Sequence, residues 1–325
     1  MTLRGAIGGF ANIPVYKDLP KTLKIHLLQS TMIWNSLLVD SESDLGLRPE
    51  ISAYLQSIKA EIDAYSERNF VYLIATRPRV RVIAQPRYRW FSSDLIIHIA
   101  VGSTGRRERI TVPSGYFRAL GFGSRPEVTF TPRSILIGSG ERQLPIPIHT
   151  LLLDLQINLG LHSKVTYVGK TGEPGKRAID GNHRGLSDTL TLALENQDDV
   201  FFFSSLFHAR YHAETADHGI SFIISNSMTD DIPVEPEADL IEKLLIYHFN
   251  SVTQTKNRKN DVGTLRNTMQ KLRTTRNIHA IELSLEVDDE SEYFCFGNMQ
   301  VNYAHRHAFL CKIVDGELHY EKLTQ

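Results

Sequence analysis

The chain has 325 residues, with 42% hydrophobic and 22% charged side chains, the usage of an ordinary globular protein, which excludes wholesale disorder and fibrous repeats. Its longest apolar runs, such as Leu95-Ile96-Ile97 and Phe201-Phe202-Phe203, fall far short of the ~20 residues that cross a bilayer. The formal net charge of −1 hides a division: residues 1–150 carry 19 Lys and Arg against 12 Asp and Glu, and residues 151–325 carry 17 against 25.

Residues 1–46 show little periodicity. Pro49 then opens an apolar series, Ile51, Tyr54, Leu55, Ile58, Ile62 and Tyr65, whose spacing predicts one face of a helix. From Phe70 to about Ile148, β-branched and aromatic residues alternate with arginine between Pro and Gly. Short strands are expected at 71–74, 80–84, 95–101, 109–112, 127–130 and 134–137. A boundary is placed at 148, giving an N-terminal region 1–148 and a second domain 149–325. Beyond it the pattern predicts strands at 150–157 and 164–168, a helix through 186–194 and a strand at 200–207. A helix over 237–249 and another capped by Asp261 follow, with further strands from Ile278. The fold class is α+β: an Arg-rich, mostly β N-terminal region with one helix, then an α and β domain with C-terminal additions. Two cysteines, Cys295 and Cys311, cannot build a disulfide framework or a multi-thiolate zinc site, and the first residues hold no apolar stretch of signal length. A cytoplasmic location without membrane contact is expected; the sequence leaves homo-oligomerisation open.

Between Arg77 and Arg142 stand 12 arginines, no lysine and four acids. Arginine forks onto phosphate and stacks on bases, so a strip of this kind is the footprint of a polyanion binder. Arg77, Arg79, Arg81, Arg87, Arg89, Arg106 and Arg107 are the candidate nucleic-acid contacts. The bland alternative is a solvated strand face.

The chemistry-bearing segment is Tyr167-Val-Gly-Lys-Thr-Gly-Glu-Pro-Gly-Lys-Arg177. It is not a phosphate loop, because five residues separate Gly169 from Gly175 and Lys176 is followed by Arg177 rather than Ser or Thr. Other clusters are weaker: His208-Ala-Arg-Tyr-His212 lacks the Glu of a zinc hydrolase helix, and Cys311 beside His305-Arg-His307 reads as core.

The segment resembles the second half of the GIY-YIG nuclease signature, a strand ending in Tyr-Val-Gly-Lys-Thr followed at a family-like interval by Arg177. Glu242-Lys-Leu-Leu-Ile-Tyr-His-Phe249 is similar to the family's metal-binding helix, and the elements between follow its β-β-α-β-α plan. The resemblance spans about residues 150–257. It implies Tyr167, Lys170, Arg177, His183 and Glu242 as catalytic residues. Glu242 would hold one Mg²⁺, or another divalent ion such as Mn²⁺, a role one carboxylate can fill because Mg²⁺ keeps several waters. Arg177 would grip phosphoryl oxygens, Tyr167 or Lys170 would position water and His183 would shuttle a proton. Glu237 competes with Glu242 but lies in the first helical turn, where an acid complements the helix dipole. Two elements depart from the family. Its first tyrosine is absent from the strand expected just before Tyr167, and its late asparagine has no clear match. The implied function is a metal-dependent endonuclease, of a restriction or defence kind, acting on double-stranded DNA. The alternatives are a non-catalytic nucleic-acid-binding protein with a degenerate nuclease fold, or a ligand-sensing effector.

Overall fold

The computed structural model describes residues 4–35, 70–139, 143–171, 184–214, 221–250 and 258–323. In chain order the strands are β1 (Lys21–Trp34), β2 (Phe70–Pro78), β3 (Val80–Val82), β4 (Arg87–Tyr88), β5 (Leu95–Val101), β6 (Arg106–Val112), β7 (Val128–Phe130), β8 (Ser134–Ile137), β9 (Leu144–Pro147), β10 (Ser163–Thr171), β11 (Asp198–Glu214), β12 (Ser221–Ser225), β13 (Ile278–Glu286), β14 (Phe296–Gly297), β15 (Arg306–Val314) and β16 (Glu317–Lys322). The longer helices are α1 (Ser114–Ala119), α2 (Ile148–Asp154), α3 (Arg184–Asn196), α4 (Val234–Phe249) and α5 (Arg258–Arg276). The helix expected over 49–65 lies outside the described residues.

Among the described residues, nine strands form one mixed sheet in the order β14-β10-β2-β11-β1-β13-β15-β16, with β12 beside the far end of β11. β2 and β11 read as near-continuous apolar runs, Phe70–Ala75 and Val200–Phe203, because both faces of these central strands are covered. On one face Leu73, Ala75, Val165, Val168, Phe201 and Phe203 pack under α4, which contributes Leu240, Ile241, Leu244 and Leu245, and α5, which contributes Leu265 and Met269. On the other face Tyr72, Ile74, Val200, Phe202 and Leu206 meet Ala193 and Leu190 of α3. Each such Leu or Phe, fully buried, contributes roughly 1.5–3 kcal/mol. α4 follows Pro233 and stops at Asn250, which takes the left-handed conformation (φ 48°) that ends many helices. No helix among the described residues is long and apolar enough to cross a membrane.

The chain is thus a mixed α and β protein with a large mixed sheet, as the α+β reading expected. Three expectations need correction. The strand placed at 150–157 is the helix α2; it follows Pro147 and is built on Leu151-Leu152-Leu153, which lose little rotamer freedom in a helix. The long strand β1 lies in the stretch that showed little periodicity. The main sheet also draws strands from both sides of the boundary placed at 148. β1 and β2 belong to it, and β3 to β9 form two smaller sheets inserted between β2 and β10. The core runs on into this insert through Val80, Val82, Ile97, Ile99 and Ile135.

Candidate active site and nucleic-acid interface

β2 lies between β10 and β11 and is antiparallel to both. The register sets Tyr72 opposite Gly169 and Ile74 opposite Tyr167, so the two tyrosines are diagonal neighbours on one sheet face. Their rings stack at 6.0 Å between centroids and 24° between planes, and Tyr72 stacks in turn on Phe202 of β11 at 4.8 Å and 20°. The ring of Tyr72 occupies the space that a side chain at Gly169 would fill: a Cβ there would run into Cζ and Oη of Tyr72 and lie 2.8 Å from Cε1 of Tyr167. The glycine of Tyr-Val-Gly is therefore required by the tyrosine of the neighbouring strand. A register shift in β10 between Val165 and Tyr167 leaves Thr166 beside Tyr167, where its hydroxyl meets Thr189 of α3 at 3.3 Å.

Lys170 faces the other way, toward α4. Its ammonium pairs with Asp239 at 2.5 Å and with Glu235. Burial lowers its affinity for the proton, but the bonds and charge of Asp239 and Glu235 outweigh this and raise its pKa above the usual lysine value. Lys170 is thus a fixed cation that ties α4 to β10. Glu242 lies one turn beyond Asp239 on α4 and is partly exposed. Glu237 is engaged elsewhere: it accepts from Arg4 at 2.7 Å and from Asn226 at 2.5 Å, while Arg4 also binds Asp230 at 2.6 Å. The described catalytic candidates thus divide between two faces of the sheet, Tyr167 on that of α3, Lys170 and Glu242 on that of α4. Arg177 and His183 lie outside the described residues. Tyr72 is the residue that sequence spacing missed. The signal that would have found it is Phe70-Val71-Tyr72 at the head of a strong apolar strand, hidden by the inserted β unit.

The arginine strip separates into two groups. Arg77 is 1% exposed; it binds Glu292 through Oε1 at 2.8 Å and the backbone carbonyl at 2.7 Å, and lies 4.0 Å over the ring of Tyr293. Arg81 forks onto Asp199 at 2.8 and 2.9 Å. Asp199 also accepts from Nε2 of the buried His149 at 2.9 Å, and the Tyr293 hydroxyl donates to His149 Nδ1 at 2.8 Å. Burial lowers the His149 pKa, so the ring is neutral and both its nitrogens are used. Burial disfavours the Asp199 carboxylate, but His149 and Arg81 outweigh it and hold its pKa below the ordinary range. This network binds the inserted unit to the main sheet. Of the arginines expected at the nucleic-acid surface, Arg77 is therefore internal, and Arg81 is partly buried and committed to Asp199. Arg79 is partly buried, and Arg106 pairs with Glu108 at 3.2 Å and donates to the Leu159 carbonyl at 2.6 Å.

Arg87, Arg89 and Arg107 are exposed and make no ion pair among the described residues. β5 pairs with β4 and β3 along one edge and with β6 along the other. Val80, Val82, Leu95, Ile97, Ile99, Ile110 and Val112 face the core. Alternation then puts Arg87 and Ile96, His98 and Arg109, Ala100 and Arg107 on the outer face. Arg109, read at first only as a strand start, belongs to this surface.

The weaker histidine clusters resolve as structure. His208 and His212 lie on the strand β11 and not on a helix, and His208 bonds Ser225 at 2.8 Å. His307 Nε2 donates to the Phe296 carbonyl at 3.0 Å. Its Nδ1 accepts from His248 Nε2 at 3.0 Å, and His248 Nδ1 accepts from the Tyr320 hydroxyl at 2.7 Å. Burial, aided by His307, pushes His248 down to about 3, and burial pushes the Cys311 thiol up to about 12. Among the described residues no three His, Cys, Asp or Glu side chains converge. Glu242, the carboxylate that the resemblance assigns to a metal, is not part of such a cluster among these residues. No family model matches this sequence, and neither a curated protein nor a solved structure does.

Proposed function

We propose that the chain is a nuclease that holds nucleic acid, DNA in the first instance, on the outer face of its inserted β unit. It hydrolyses a phosphodiester that reaches Tyr167 on the α3 face and Glu242 on the α4 face across the C-terminal end of β10. The observation that carries this reading is the Tyr72–Tyr167 stack closed over Gly169. It supplies the tyrosine that the GIY-YIG resemblance lacked. Val71-Tyr72 stands for the signature's Ile-Tyr on the strand paired with Tyr-Val-Gly, with Phe70 in place of its glycine. β2, β10, α3, β11 and α4 then follow the family's β-β-α-β-α plan, with β3 to β9 as an insertion.

In this reading Tyr167 is the group that orients the attacking water, since its ring is partly exposed and clamped by Tyr72, which is 1% exposed and acts by position. The fixed charge of Lys170 suits it to anchoring α4 and holding negative charge rather than to taking a proton. Glu242 would hold Mg²⁺ or Mn²⁺, which when bound neutralises phosphate charge and makes its water more acidic. Arg177 and His183 keep the roles that the resemblance implies, phosphate donor and proton shuttle. The burial of Tyr72 favours a second reading, a non-catalytic nucleic-acid binder that keeps the tyrosine stack for packing. Single-turnover cleavage of a labelled duplex separates the two: Tyr167→Phe removes one hydroxyl and should slow the chemical step roughly 10²-fold or more. Equal rates for Tyr167→Phe and wild type would remove Tyr167 from the mechanism.

A further inference from the structure

Trp90 and Phe91, 89% and 98% open to solvent, are with Met299 the most exposed large apolar side chains among the described residues. They sit side by side on the turn between β4 and β5. Isolated exposed apolar residues are ordinary, but an adjacent tryptophan and phenylalanine with nothing beneath them form a patch that asks for a partner. The turn that carries them is held at both ends. Arg89 N donates to the Asp94 carbonyl at 2.9 Å, and Arg125 Nη2 donates to the Ser92 carbonyl at 2.7 Å and to that of Arg89 at 3.3 Å. Ser92 Oγ donates to Asp94 at 3.0 Å, and the Tyr88 hydroxyl to the Pro126 carbonyl at 2.6 Å. The two rings are thus presented on a pre-organised support, which lowers the ordering cost of binding.

Charge around the tip selects the partner. The exposed Arg89 immediately precedes the tip, and Arg87 lies on the outer sheet face with Arg107 and Arg109. Of the nearby acids, Asp94 is bonded inside the turn and Glu108 is paired with Arg106. Aromatic rings beside arginines that track a backbone are the composition of a base-stacking platform. An aromatic wedge at the edge of a basic surface is also how proteins unstack a duplex step. We infer that Trp90 and Phe91 form a stacking tip for nucleic-acid bases, engaging unpaired bases or an opened base step while the arginine face holds the backbone. This deepens the proposed function and rests on its nucleic-acid-binding half alone.

The chain offers its own reporter. It has two tryptophans, and Trp34 is buried at 3% exposure against His149, so acrylamide quenching reads Trp90 selectively. The full chain would be titrated with a single-stranded DNA, the same strand as RNA, a matched duplex, a duplex with an unpaired bulge, and anionic phosphatidylserine vesicles. Stacking predicts that the single strand or bulged duplex lowers Trp90 emission and shields it from acrylamide. Trp90→Ala should raise Kd roughly 5- to 100-fold, the loss of one stacked base, while Trp90→Phe retains most of the affinity. Tight nucleic-acid binding with unchanged Trp90 quenching and a wild-type Kd for Trp90→Ala would overturn the tip and leave the proposed function standing. No binding to any nucleic acid would overturn both. Blue-shifted Trp90 emission with vesicles and none of these effects with nucleic acid would assign the tip to a membrane surface instead.

Discussion

Gly169→Ala is the sharpest perturbation the structure offers, because one methyl group meets two rings at once. The new Cβ would fall against the hydroxyl end of Tyr72 and 2.8 Å from Cε1 of Tyr167, and the buried Tyr72 ring cannot retreat because Phe202 stacks behind it at 4.8 Å. Overpacking of a tight core costs about 1–3 kcal/mol, and an aromatic pair driven apart forfeits about 0.5–1.5 kcal/mol. Gly169→Ala should therefore lower stability by about 2–3 kcal/mol, read as a fall in the urea midpoint with an unchanged slope. In a Tyr72→Leu background one of the two obstructing rings is gone and Tyr167 is no longer clamped by it, so the same substitution should cost at least about 1 kcal/mol less, a coupling of the size expected for residues in contact. A cost within about 0.5 kcal/mol in the native background, or equal costs in both, would refute the packing of Tyr72 over Gly169.

Arg77→Met should destabilise by about 3–5 kcal/mol, because it strands Glu292 as an unpaired buried charge. Any folded Arg77→Met protein should bind nucleic acid like wild type, measured by mobility shift. Glu237→Ala breaks the bonds to Arg4 and Asn226, so it should lower stability by about 1–3 kcal/mol in a urea titration while leaving the single-turnover rate unchanged. The low pKa of His248 makes the fold acid-sensitive. The unfolded chain takes up a proton below pH ~6.5 that the native ring refuses until pH falls to about 3, so stability should drop by about 1.4 kcal/mol per pH unit across that window. Other buried histidines add to the total, so the test is the difference: stability from urea titrations against pH should fall less steeply in His248→Gln, by about that slope. Reversing Arg87, Arg107 and Arg109 to Glu should weaken nucleic-acid binding and reduce its salt slope by about one per lost phosphate contact, while unchanged affinity would move the interface elsewhere.

Elements whose local pattern matched their surroundings were legible in the sequence. β5 and β8 fall where alternation put them, and α4 was visible from its apolar face and the acids of its first turn. What could not be read was long-range pairing. Nothing local says that β2 crosses an insertion of two small sheets to lie against β10, so the partner of Tyr167 was sought on the adjoining segment, where the leucines of α2 form a helix instead. The same blindness affected charge. Alternation correctly marked Arg77 and Arg81 as off the hydrophobic pattern, but the acids that bury them, Glu292 and Asp199, lie more than a hundred residues away. Arg87 and Arg107 have no such partner among the described residues and lie on the surface.

In the proposed function Glu242 supports metal-dependent cleavage of nucleic acid gripped elsewhere on the molecule. Its most direct test is incubation of supercoiled plasmid with the full chain in Mg²⁺, in EDTA and as Glu242→Gln, with affinity measured in parallel. Nicked or linear product is expected only in Mg²⁺ with the native chain, and Glu242→Gln should retain the affinity for DNA. Cleavage by Glu242→Gln at the native rate, or no cleavage of DNA by a native chain that binds it, would contradict this role.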